Sequence, residues 1–464
     1  MLVALDGTVL MVAQPSLRRD LGASMAQVQW TSTAYLLAVA SLLVVAGRLG
    51  DRYGHPRMLV VGLTGFAAAS AGIALAPGVG WVVALRAVQG VFGALLQPAT
   101  LALLSSAYPA DRLGTPVAVR TGAIGVAAAA GPVLGGLLVA HLGWRAVFWL
   151  NVPVACVVVV LTLAMRTPAP SPAGAQRLDL TGAALLATAL AVLVHTLSGI
   201  PAHGWTAEPT WLGLAAVAGL AASLVLHERR TGHPIVPSPV ARSVPVTASV
   251  ALLLLTAGGM FGALFVSTFF FQDVLGLGPL ASGLRGLPLT VLMVLGAPAA
   301  ALALRRYGPR RTAVLGTVLV VLGTAGLSRL GPAGSWAVTG VAFAVLGAGF
   351  AVVMVTATAT VVGEAPSGYA GVIGGLKQTA MNVGPTLGIA VAAGLMLPGP
   401  SDAGHRVMSA SATGPTLLVL AGLAALALLP AWLLPTRPVR AAPDAAAGDD
   451  PGVLPPVGRQ ARSG

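Results

Sequence analysis

The chain has 464 residues, the length of two or three soluble domains, but it is 56% hydrophobic and only 8% charged. That balance, with a mean hydropathy of +0.88, leaves too few charged side chains to cover soluble surfaces and points to an all-α polytopic membrane protein. A net charge of +13 would suit nucleic acid only if the cations formed a patch; they are spread through short loops between apolar runs, which excludes that partner and fits a charge bias set by the membrane.

A membrane span needs roughly 20 apolar residues. Fourteen stretches are candidates, near 1–15, 28–47, 57–76, 81–105, 117–141, 145–165, 179–199, 210–227, 244–271, 283–304, 312–330, 336–362, 370–397 and 413–434. The first rises only about 22 Å at 1.5 Å per residue, so the natural start is expected upstream. No charged segment precedes it, which argues against a cleaved signal peptide. The single cysteine, Cys156, excludes an internal disulfide and offers no metal cluster. Lys377 is the only lysine, and arginine carries the rest of the positive charge.

Loop charges set the orientation. With both termini cytoplasmic, seventeen arginines fall in inside loops and the tail and six in outside loops and span ends; this asymmetry predicts a multi-pass protein of the cell (plasma or inner) membrane with an even number of spans and both termini in the cytoplasm. The segment 166–178 reads as a cytoplasmic linker, and the Pro- and Ala-rich tail 435–464 as disordered overhang.

The run GAIGVAAAAGPVLGG over 122–136 holds Pro132 and five glycines, Gly122, Gly125, Gly131, Gly135 and Gly136, inside a long apolar stretch. Gly and Pro weaken a soluble helix, but in lipid they mark a bent helix that neighbours approach closely. A partner, Gly384-Pro385-Thr386-Leu387-Gly388, lies eight spans later. Likewise Gln89-Gly90-Val91-Phe92-Gly93 is echoed by Leu346-Gly347-Ala348-Gly349-Phe350. The offset of eight divides the chain into two six-helix bundles, 1–165 and 244–434, separated by an inserted helix pair and following loop, 179–243. Paired halves are the pattern of transporters whose site lies between them.

Three groups of residues carry candidate chemistry. The loop after the second span reads Gly47-Arg48-Leu49-Gly50-Asp51-Arg52-Tyr53-Gly54-His55-Pro56-Arg57; its glycines permit a tight turn, and Asp51 can accept hydrogen bonds from a neighbouring helix N-terminus. A degenerate copy, Arg305-Arg306-Tyr307-Gly308-Pro309-Arg310-Arg311, follows the tenth span. Among thirteen acidic residues, only Asp6 lies firmly within a span, and an intramembrane carboxylate is a functional candidate because lipid disfavours its charge. Two roles are open to it: a proton carrier, or a structural acid hydrogen-bonded to Thr8 or to backbone at a kink. Arg86 is the second buried charge; it cannot release its proton, and it either supports polar contacts or snorkels toward the interface near Trp81. Gln89, Gln97, Met260, Phe261, Phe265, Phe269, Met354, Gln378 and Asn382 are polar, soft or aromatic residues suited to a cavity for varied apolar, often cationic, compounds, or to packing.

These motifs resemble the major facilitator superfamily, and within it the fourteen-span drug:proton antiporters. The resemblance rests on Leu5-Asp6-Gly7-Thr8-Val9 with Pro15, Gln29-Trp30-Thr31-Ser32-Thr33-Ala34-Tyr35, the loop 47–57, Arg86-Ala87-Val88-Gln89-Gly90 with Gly93, the stretch 122–136, and Gly143-Trp144-Arg145 with Phe148-Trp149-Leu150-Asn151-Val152-Pro153. His55-Pro56 stands where the loop motif usually has basic residues, Gln14 where an apolar residue is usual, and Gly368-Tyr369 where a basic pair is usual. The resemblance implies a proton-driven exporter of small amphipathic compounds that needs no cofactor and works as a monomer in the lipid bilayer. Asp6 and Arg86 would couple protons, Gly47, Asp51, Arg52, Gly54 and Arg57 would steady one closed state, and Gly122, Gly131, Pro132, Gly135 and Gly136 would shape the fifth helix. A dedicated exporter of one endogenous metabolite would use the same machinery. A membrane-embedded transferase would need clustered nucleophiles, bases or metal ligands, and an ATP-driven pump a phosphate loop; neither pattern is present.

Overall fold

The computed structural model describes residues 1–108, 112, 114–164, 179–232, 234–277, 279–331, 335–364, 369–396 and 412–436. The expected linker 166–178, Gly368 and the tail beyond residue 436 lie outside the described residues, and of Pro132 only the helical backbone is described. Fifteen α-helices are described: α1 Leu2–Asp20, α2 Met25–Tyr53, α3 His55–Ala74, α4 Val79–Ala107, α5 Gly114–Leu142, α6 Arg145–Ala164, α7 Leu180–His203, α8 Glu208–Arg230, the short α9 Ser238–Ala241, α10 Val244–Phe269, α11 Pro279–Leu327, α12 Trp336–Gly363, α13 Ala370–Met396, α14 Thr413–Ala425 and α15 Leu428–Leu433. Among the described residues, eleven helical segments are long and apolar enough to cross a membrane.

The punctuation of these helices follows local chemistry. Ser24 caps α2 in a reciprocal box with Gln27, Asp179 caps α7 through the Gly182 N–H, and each satisfies donors that a helix start leaves free. Between α2 and α3 the chain turns on Gly54 alone, at φ 93°, with Pro56 in the first turn of the next helix. The continuous α11 hides the same device: Gly308, at φ 79°, breaks it before Pro309. Only glycine adopts that backbone without strain, and proline suits the helix start that follows. The degenerate loop copy is therefore a structural copy of the turn. The first helix runs past Pro15 to Asp20, further than the apolar stretch predicts, because Leu17 still faces the interior and is fully buried.

Helices α1 to α6 pack as one bundle, α1 on α5, α2 on α4, and α3 on both α4 and α6; α10 to α15 pack as another, with α13, α12 and α14 all against α10. Lipid offers no hydrophobic drive for helices to associate, so close approach at small residues does the work. In the first bundle, an added Cβ at Gly131 or Gly135 of α5 would press on Thr8 or Val9 of α1; in the second, one at Gly384 or Gly388 of α13 would press on Leu254 or Gly258 of α10. The two Gly-Pro motifs thus make the same contact in each bundle, seating a helix on the first helix of its own bundle. The face of α5 toward α11 carries Gly125 instead, against Val294. Helix α7 lies against α8, α2 and α13, and His195 of α7 stacks on Trp30 of α2 with centroids 6.1 Å apart; α8 is exposed along most of its length.

Candidate functional site

Glycine spacing on α4 creates the first polar centre. An added Cβ at Gly90 would lie 2.6 Å from the Tyr35 carbonyl oxygen, and one at Gly93 2.9 Å from the Tyr35 hydroxyl, so glycine at Gly90 above all lets α4 approach the α2 backbone. This proximity brings Arg86 to α2. Its Nε donates to the Thr31 carbonyl at 3.0 Å, and its guanidinium lies over the Tyr35 ring, 4.3 Å from the centroid. Nη1 donates to Asp6 Oδ2 at 2.7 Å and to Gln89 Oε1 at 2.6 Å. Arg86 is 1% exposed and Asp6 2%, so Arg86 does not snorkel.

The other carboxylate oxygen of Asp6 accepts from Asn151 Nδ2 of α6 at 2.7 Å and, more weakly, from Gln89 Nε2 at 3.4 Å. Both amides also donate to the Ser70 hydroxyl of α3, which donates onward to the Phe66 carbonyl. Five helices therefore contribute to one buried ion pair and its hydrogen-bonded surround, as burial of charge requires. Thr8 takes no part: its hydroxyl bonds the Ala4 and Leu5 carbonyls of its own helix. The Tyr35 hydroxyl has no partner among the described residues. Gln89, read from sequence as a cavity residue, is fully buried in this network. Asn151 and Ser70 were not picked out as site residues; Asn151 is an isolated polar residue in an apolar helix, a readable signal, whereas Ser70 in an Ala-rich helix gives none.

The second centre joins the two bundles. Asp51, at the end of α2, accepts from the Gly371 N–H at 2.7 Å and from the Val372 N–H at 3.1 Å, the free donors of the α13 N-terminus. His55 Nε2 lies 3.2 Å from the same carboxylate. Gly47 and Gly371 let the backbones touch, since an added Cβ on either would overlap the other's carbonyl. Further along, Gly375 lies against Leu43, and Gly374 against Pro98 of α4. Arg52 and Arg57 are exposed, with Arg52 over the Tyr53 ring at 5.2 Å, while the buried Arg48 donates to the Pro234 carbonyl. In the degenerate copy, the position matching Asp51 relative to the turning glycine is Arg305.

The remaining candidates are dispersed. Met260 is buried, with Phe261 and Phe265 packed beside it in the core of the second bundle, and Phe261 meets Phe350 edge-on at 6.5 Å. Gln97, Gln378 and Asn382 are half-buried; Asn382 Nδ2 donates to the Gln378 carbonyl of its own helix. Gly122 and Gly136 have open space where a Cβ would stand. Among the described residues no group of three His, Cys, Asp or Glu side chains could share a metal ion.

Comparison with known proteins decides the family. Residues 1–389 match the model of the Major Facilitator Superfamily. The chain belongs to the Major Facilitator Superfamily. The match includes both polar centres and ends within α13, one residue past Gly388. Among relatives of this major facilitator chain, the tetracenomycin C resistance and export protein of Streptomyces glaucescens is 43% identical over 85% of the chain and 74% of its own length. The multidrug efflux pump LfrA of Mycolicibacterium smegmatis is 32% identical over 84% of the chain and 77% of its own. The fold matches the crystal structure of the human transporter MFSD10 with a TM-score of 0.61 at 17% identity, over 92% of this chain and 98% of that one.

Proposed function

We propose that this major facilitator protein exports small amphipathic compounds, drugs or antibiotics, in exchange for entering protons. The observation that carries the reading is Asp6: a carboxylate inside a membrane helix, fully buried and held by Arg86 and Asn151. A proton arriving at Asp6 competes with Arg86 for the same oxygen, so proton binding and rearrangement of the five helices of this network are one event. The relatives named for resistance and efflux supply the direction of transport.

In this reading the chain crosses the cell membrane fourteen times with both ends cytoplasmic, α7 and α8 being a pair inserted between two six-helix halves. The halves rock about a midplane site, and the Asp51 contact with α13 belongs to the conformer closed toward the cytoplasm. The test is proton-driven substrate uptake into inverted vesicles by Asp6→Asn. Loss of uptake, with wild-type yield and monodispersity in detergent, supports the coupling role; unchanged pH-dependent uptake removes Asp6 from the mechanism. The 43% identical relative is named for one antibiotic, so a dedicated exporter of a single metabolite is the second reading, and a susceptibility panel in a pump-deficient host separates the two.

A further inference from the structure

An open groove lies on the second bundle, outside both polar centres. Its walls are Val236 and Val240 from the connection between α8 and α10, Val250, Leu254 and Leu255 of α10, and Leu376 of α13, and it encloses about 550 Å³. Thr247 is the one polar residue in its lining, and that hydroxyl is spent on the Ser243 and Val244 carbonyls of its own helix. The side chains of the groove therefore offer no hydrogen bond, and whatever fills it has to be hydrocarbon there. Along α10 the lining runs from Val246 to Leu255, roughly 14 Å at 1.5 Å per residue. That is close to half of the roughly 30 Å hydrocarbon core, the depth of one leaflet.

The end of the groove at the start of α10 is cationic. Arg242, exposed, falls in the chain between the lining residues Ala241 and Val246. Glu228 accepts from the Val236 N–H at 3.0 Å, which brings the end of α8, with the exposed Arg229 and Arg230, to the same place. Among the described carboxylates of this end, Glu228 is engaged by Val236 and Asp179 by His227. Glu364 lies a turn beyond Val361, which packs with Val240 and Val246. Three arginines against these leave a surplus of positive charge that an anion at the membrane surface would meet.

We propose that this groove holds one acyl chain of an anionic phospholipid, its headgroup phosphate among Arg229, Arg230 and Arg242. The assignment to the cytoplasmic leaflet rests on the orientation in the reading above; the chemistry of the site does not. Bound lipid also bears on the closed arrangement of the bundles. Ile235, beside the groove residue Val236, is fully buried among Val44 of α2, Ala183 of α7 and Val372 of α13, and Arg48 of α2 holds the Pro234 carbonyl. Val372 is one of the two residues whose N–H Asp51 accepts. An acyl chain seated against Val236 supports this connection where it bridges the bundles, so the lipid favours the closed state.

The test is intact-complex mass spectrometry of the full chain, purified in detergent and offered equal amounts of palmitoyl-oleoyl phosphatidylglycerol and the matching phosphatidylcholine. One retained phosphatidylglycerol per chain, in preference to phosphatidylcholine, is the expected result. Ala251→Trp fills the groove from a half-buried position of its lining and should abolish retention; Val250→Trp makes the same comparison if that variant does not fold. Arg242→Gln, at an exposed position, should lower the preference for phosphatidylglycerol about fivefold, the effect of one arginine near an anionic headgroup. Equal retention of the two lipids by the wild type, or retention unaltered in the tryptophan variants, overturns the site. Tryptophan variants that keep the lipid but change which compounds inverted vesicles take up would give the groove to the exported compound, and also overturn it. Loss of export with lipid retention intact would count against the transport reading alone. Spin labels on Arg57→Cys and Arg311→Cys in a Cys156→Ala background should show shorter distances in nanodiscs of phosphatidylglycerol than of phosphatidylcholine, and identical distances overturn the support of the closed state.

Discussion

The carboxylate of Asp51 accepts the backbone N–H of Gly371 at 2.7 Å across 320 residues of sequence. This contact, with its neighbour at Val372, ties the end of α2 to the start of α13. Charge-assisted hydrogen bonds contribute about 1.5–3 kcal/mol each, so Asp51→Ala should shift the equilibrium away from this closed arrangement by roughly tenfold or more. Spin labels on Arg57→Cys and Arg311→Cys, both exposed positions, in a Cys156→Ala background would report it. The distance distribution should extend to longer values in Asp51→Ala; identical distributions would show that the contact does not hold the bundles closed.

Arg86 and Asp6 form a pair in which neither charge has another counterion among the described residues. Arg86→Met leaves the carboxylate buried without its cation and should cost about 3–5 kcal/mol, the usual penalty for breaking a buried pair from one side. The double variant Arg86→Met with Asp6→Asn should cost less than Arg86→Met alone, because no lone charge remains. Thermal unfolding in detergent across the double-mutant cycle measures the coupling, and additive effects would contradict it.

The glycines of the 122–136 run differ sharply in what surrounds them. Gly131→Ala meets the Thr8 side chain, whereas Gly136→Ala meets nothing within 4 Å. The first should destabilise by about 1–3 kcal/mol through overpacking, the second by no more than the few tenths of a kcal/mol typical of surface changes. Combining Gly131→Ala with Thr8→Ala should recover part of the loss. Equal melting temperatures for the Gly131 and Gly136 variants would contradict the packing.

Asp20, beyond the apolar stretch of α1, accepts from Trp144 Nε1 at 2.9 Å and pairs with Arg145; the indole hydrogen bond first, and then the arginine, holds its carboxyl below the usual carboxylate range. A depressed acid contributes stability that is present above its unfolded pKa, about 3.9, and lost as pH falls through the lower folded value. Asp20→Asn should therefore flatten the decline in thermal midpoint at the acid end of the pH profile and leave its shape above pH about 5 unaltered. A wild-type acid limb in the variant would exclude the contact as its source.

Much of this architecture is local and therefore legible. The turn at Gly54 and its copy at Gly308 follow from two glycines each followed closely by proline, and Asp51 beside such a turn announces an acceptor near a helix end. The recurrence of the Gly-Pro motif, at Gly131-Pro132 and Gly384-Pro385, marks α5 and α13 as equivalent helices. Asp6 stood out because an acid in an apolar helix has no innocuous place to be. Its partners did not: Ser70, Arg86, Gln89 and Asn151 lie on three other helices, up to 145 residues away, and no short-range pattern links them.

The amino-acid sequence by itself determined the membrane class, the order of the helices, the single-glycine turns and the lone intramembrane acid, Asp6, because each depends on the hydropathy or conformational freedom of adjacent residues. Only the tertiary structure decided which charge pairs with Asp6. In a soluble helix the polar face would have shown which side is buried; in lipid both the packed and the exposed faces are apolar, so direction is lost. Met260 and Phe261, for which the sequence left cavity and packing roles open, lie together in a packed core, and Gln89, grouped with them, anchors Asp6 instead.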